Sequence, residues 1–164
     1  MKTRTRAAHQ TRPRRPPVTA VEVVATPDCR LKAPASAGED VVERAESVAR
    51  QRVREDGIAE SDLALLYLFH NPFKDRTDDV AAMALAGERI ATNGASFKGM
   101  EHPVVVLGLD LDPTKTDRIE EVRRAIYTAA TRARSHLTVV GDPDGAAAYG
   151  FDGLAGALRG AVAE

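Results

Sequence analysis

Three short, predominantly apolar runs limit this chain more than any other feature of its sequence. They are Leu63-Ala64-Leu65-Leu66-Tyr67-Leu68, the stretch from Pro103 to Leu109, and Leu137-Thr138-Val139-Val140. A strand with one wet face alternates polar and apolar residues, whereas a continuous apolar run of this length marks a strand covered on both faces. Such strands belong to parallel sheets flanked by helices. The spacing between the runs agrees: Val41/Val42, Ala45, Val48/Ala49 and Val53 recur at helical period, so a helix is expected from about Glu39. Gly57 follows where a helix-ending glycine belongs.

The remaining elements fill in an alternating order. Thr19-Ala20-Val21-Glu22-Val23-Val24 predicts a short strand, and residues 26–38 predict a loop rich in Pro, Ala, Ser and Gly. Asn71-Pro72 breaks the first apolar run, and a second helix is expected over residues 77–86, before Gly87. A brief strand is expected over 89–92. Asp117, with Glu120 three residues later, predicts a helix start. Ile119, Val122, Ile126, Ala129/Ala130 and Ala133 would line one face of that helix. A last strand over 136–140 and a weak helix over 154–162 complete the chain. Strands alternating with helices predict an α/β fold, a parallel sheet with helices on both faces. There is no internal repeat.

Composition narrows the possibilities further. At 164 residues the chain suits one domain, expected here as 18–164, preceded by a separate basic arm over 1–17. The arm carries Lys2, Arg4, Arg6, Arg12, Arg14 and Arg15 with no acid, a local +6, while the rest sums to −7. Pro13, Pro16 and Pro17 favour extended backbone there, so the arm is expected to be disordered and able to hold nucleic acid phosphates. No apolar stretch follows the arginines as a secretory signal would need, and no run approaches the ~20 residues that span a bilayer. The single cysteine, Cys29, excludes a disulfide framework and a cysteine-rich zinc site. It agrees with a cytoplasmic setting and no membrane partner.

Two motifs carry chemistry. The first is Ser96-Phe97-Lys98-Gly99-Met100-Glu101, set before the aliphatic strand. A lysine and a glycine in such a loop suit close approach of backbone to a ligand. The second is Tyr127-Thr128-Ala129-Ala130-Thr131-Arg132-Ala133-Arg134, followed by the last strand. No G-x-x-x-x-G-K-[ST] phosphate loop occurs anywhere in the chain. In this order the two motifs resemble the last two motifs of UvrD/Rep-type superfamily 1 DNA helicases, S-F-K-G-L-E and Y-V-A-L-T-R-A-R/K. The similarity extends with less specificity over residues 18–142. It implies a RecA-like C-terminal domain, the second of the two that clamp ATP and Mg²⁺ between them.

By this resemblance Arg132 is the arginine that reaches the γ-phosphate, Glu101 lies beside the nucleotide sugar and Gly99 permits close approach. Ser96 and Lys98 would sit between nucleotide and DNA. The partners implied are single-stranded DNA and a RecA-like domain bearing the phosphate loop, which would bind most of the ATP. The family setting also suggests DNA repair. Leu68 stands where the family often has a nucleotide-contacting arginine, and only about 30 residues separate Tyr67 from Gly99, where full-length relatives insert a subdomain. Alternatives are a non-catalytic module that binds nucleic acid or protein, and a single-domain nucleotide-handling enzyme.

Other patterns point elsewhere. Val104 to Asp110 looks like a Walker B strand without its phosphate loop. Gly141-Asp142-Pro143-Asp144 lacks the glutamine of the family's G-D-P-x-Q element. Asp110, Asp112 and Asp117 could be read as metal ligands but suit a solvated loop better. His9, His70, His102 and His136 share no ligand spacing and read as surface or structural residues.

Overall fold

The computed structural model describes residues 20–25, 34–69, 83, 85–94, 96–97 and 99–162. Among the described residues five parallel strands form one sheet in the order β1-β5-β4-β2-β3. They are β1 (Ala20–Ala25), β2 (Leu63–Leu68), β3 (Ile90–Asn93), β4 (His102–Leu109) and β5 (Ala133–Gly141). The helices whose full range is described are α1 (Pro34–Arg54), α2 (Ile119–Ala130), α3 (Pro143–Ala148) and α4 (Asp152–Val162). The α/β class and the doubly covered sheet expected from the apolar runs are what the structure contains.

Every residue of β2 is buried, as the continuous run required. Its side chains divide by parity. Leu63, Leu65 and Tyr67 pack with Val104 and Val106 against Ala45, Val48 and Ala49 of α1. Ala64, Leu66 and Leu68 face the opposite way, with Val105, Leu107 and Val139, towards Val122 and Ala129 of α2. Ala155 and Leu158 of α4 close over Ala25 at the end of β1. Gly57, at φ 68, turns the chain out of α1, and the Ile58 N–H returns to the Arg52 carbonyl at 3.3 Å.

Several boundaries differ from expectation. Helix α1 begins at Pro34, so residues 34–38, expected as loop, are helical, and residues 26–33 lie outside the described residues. Of the helix expected over 77–86, Met83, Leu85 and Ala86 are helical; its other residues, like the arm 1–17, His9 and His70, lie outside the described residues. Helix α3 was not foreseen. Its start is Gly141-Asp142-Pro143-Asp144: the Asp142 carboxylate accepts from the Gly145 N–H at 2.6 Å, and Pro143 occupies the first turn, where no donor is needed.

The largest correction concerns the second motif. The helix expected to run through Ala133 ends at Ala130, and Ala133 begins β5. Non-local pairing is the reason. The Arg132 carbonyl accepts from the His102 N–H at 2.9 Å, and Ala133 pairs with His102. The register shifts between His102 and Val104, next to Pro103, which has no N–H to give the ladder. β2 joins only at Val104, so the proline costs that pairing nothing.

Candidate nucleotide-coupling site

The first motif lies in the connection between β3 and β4, which runs from the carboxyl end of one strand to the amino end of another. In register, Asn93 stands level with Tyr67 and Gly108, six residues up β4 from His102. Returning that far takes about 20 Å of the roughly 27 Å that eight extended residues can span. An eight-residue helix would reach only about 12 Å, so the crossover cannot be helical. The segment is anchored in its middle by Phe97, which is fully buried in the α2-facing core.

Around that anchor the loop is tied locally. The Ser96 N–H donates to the Asn93 side-chain oxygen at 2.9 Å, keeping exposed Ser96 beside the carboxyl end of β3. The Met100 N–H donates to the Phe97 carbonyl at 3.3 Å. Gly99 has φ 81 with no atom within 4 Å of a would-be Cβ, so the glycine answers a backbone requirement and leaves space in front of it. Glu101 is exposed at the amino end of β4. Lys98 lies outside the described residues.

Arg132 reaches this loop from the second motif. It occupies the turn between α2 and β5, half-buried, and its N–H closes the helix onto the Ala129 carbonyl at 3.0 Å. Nε donates to the Thr128 carbonyl at 3.0 Å and Nη1 approaches the Met100 carbonyl at 3.4 Å. Among the described residues this guanidinium meets carbonyl oxygens and no carboxylate. Its positive charge is therefore oriented but not neutralised. Arg132, Gly99 and Glu101 thus gather at the amino-terminal edge of the sheet, while Ser96 stands at the other end of the loop.

The neighbouring arginines behave differently. Arg124 is exposed. Arg123 is exposed too, as expected for a solvent-facing residue, with its guanidinium 3.2 Å from Glu120 and 5.8 Å from the centre of the Phe151 ring. Leu68 is buried in the core and puts no charge near the site. Among the described residues no group of three or more His, Cys, Asp or Glu could hold a metal ion. Asp112 instead caps its own loop: hydrogen bonds from the Thr114 hydroxyl and N–H hold its carboxyl down to about 2. Among the described residues no helix is long and apolar enough to cross a membrane.

The span from β3 to the end of β5, which carries both motifs, decides the family resemblance. Residues 90–140 match the UvrD-like helicase C-terminal domain. That is the family the two motifs resemble, and the match begins with β3; the stretch before it lies outside the matched residues but packs on them through α1 and β2. The C-terminal domain of a possible DNA helicase from Lactobacillus plantarum WCFS1 is 19% identical over 76% of this chain and 75% of that one, with a TM-score of 0.41. No curated protein matches the sequence.

Sequence reasoning passed over His102, which it took for a surface or structural histidine. In the structure it touches both motifs. The signal in the sequence was its place directly after Glu101 and before the strand expected from Pro103.

Proposed function

We propose that this chain works as the C-terminal motor domain of a UvrD/Rep-type DNA helicase, completing an ATP site whose phosphate loop, Mg²⁺ ligands and attacking water belong to a partner RecA-like domain. The observation that carries this reading is the meeting of the two motifs. Arg132 is held on two carbonyls at the same sheet edge as Gly99, Met100 and Glu101. Phosphoryl transfer spreads negative charge over the transferred group, and a planar, permanently cationic fork suits that charge. Contact with phosphate would compete with the 3.4 Å approach to Met100, so the same guanidinium would report the nucleotide to the loop that carries Ser96 and Lys98.

The test joins the chain to a RecA-like domain that bears a phosphate loop. Arg132→Ala should lower ATP turnover by about 10³-fold or more, the range of arginine fingers. ATP affinity should change much less, because the charge served develops during transfer. Lysine should not restore turnover, since an ammonium cannot reproduce the fork. Arg124→Ala is the control and should be close to neutral. Equal losses at Arg124 and Arg132 would reduce the helix end to a basic surface and end the proposal.

A further inference from the structure

Three separately positioned segments converge on His102. Its backbone N–H donates to the Arg132 carbonyl at 2.9 Å. Its ring Nε2 lies 2.8 Å from the carbonyl of Ser61, in the turn Glu60–Asp62 that leads into β2. A carbonyl can only accept, so Nε2 carries the proton. The same ring meets Phe97 edge-on, with centroids 6.1 Å apart and planes at 76°. One residue therefore joins the start of β5, the entry to β2 and the buried anchor of the 94–101 loop.

We propose that His102 is a positioning residue for the arginine–loop pair, fixing where the Arg132 guanidinium stands relative to Met100 and the first motif. This rests on the reading of Arg132 given above. The backbone bond to Arg132 survives any substitution except proline, so the side chain's share lies in the other two contacts. The bond to Ser61 pins the first residue of β4 to the turn beneath it. The ring contact keeps Phe97 seated, and with it the loop whose Met100 carbonyl faces Nη1. At 3.4 Å that last approach is the longest polar contact of the group and the first to go if loop and strand start drift apart. A shift of about 1 Å at such a point costs on the order of 10²-fold in a positioned reaction.

Two measurements test the proposal. In the full chain, His102→Ala should speed amide hydrogen exchange at Ser96, Phe97 and Met100 by about tenfold or more, while the interior amides of β2 and α1 keep wild-type protection, because the loosening is local. In the chain joined to a phosphate-loop domain, the same variant should lower kcat for ATP by about 10–100-fold with little change in KM. His102→Gln keeps a donor for the Ser61 carbonyl without the ring, and His102→Phe keeps the ring without the donor, so each should recover part of the kcat that alanine loses and neither all of it. Unchanged loop exchange in His102→Ala overturns the proposal, as does a loosened loop with unchanged kcat. If the wild-type pair fails to turn over ATP, the reading of Arg132 falls instead, and the exchange measurement alone decides the positioning role.

Discussion

Single side chains near the sheet's amino-terminal edge are set by what already occupies their partners. Glu22 lies 3.5 Å from Nε2 of His136, which would favour the imidazolium, but its carboxylate is engaged by Arg52. Burial lowers the pKa of His136 below its ordinary 6.5, the nearby Arg52 charge adds to this, and Asp56 opposes it only weakly. The folded state thus binds the proton less readily than the unfolded chain. The stability this contributes is fully present above 6.5 and is lost as pH falls below it. Urea midpoints measured between about pH 7.5 and 5 should therefore fall more steeply for the wild type than for His136→Gln. Parallel decline in both proteins would show that the imidazole is not under this pressure. Arg132 shows the same logic with the opposite result. Its neighbours are carbonyls, so its charge is aimed and left unpaired by any acid among the described residues.

Among the elements, the close approach of α3 to the strand-end loop depends on one glycine. A Cβ at Gly145 would overlap the carbonyl oxygen of Leu111, which is backbone and cannot swing aside. Gly145 is also the residue whose N–H the Asp142 carboxylate caps. Gly145→Ala should accordingly destabilise the domain by about 1–3 kcal/mol, read from denaturant midpoints, despite alanine's better helix propensity. A neutral or stabilising result would mean that α3 can move away from Leu111 without loss. G-D-P-D holds a capping aspartate and a proline after it, the signals of a helix start, but as sequence it reads only as an incomplete G-D-P-x-Q element. The need for glycine three residues beyond Asp142 is not legible there, because it arises from a residue 34 positions earlier in the chain.

For the whole molecule, charge separates the arm from the body. Residues 1–17 hold +6 and the remainder −7, so sequence-independent binding of single-stranded DNA by the isolated chain should depend on the arm and weaken steeply with salt. Deleting residues 1–17 should abolish most binding at low salt in a fluorescence anisotropy titration. A truncated chain that bound as tightly as the full one would move the binding surface to the motif edge. The sequence by itself determined the strand runs, the parallel covered sheet and the two helicase-like motifs, because burial on both faces imposes an unbroken apolar run and the motifs are contiguous. It could not place Arg132 at a helix–strand junction. Thr131-Arg132-Ala133-Arg134 is compatible with continued helix, and only the hydrogen bond from His102, 30 residues away, draws the Arg132 carbonyl into the sheet. The same long-range pairing put His102 between the motifs. Local period reports which face a residue prefers, whereas strand pairing across the chain decides where an element stops and which side chains then meet.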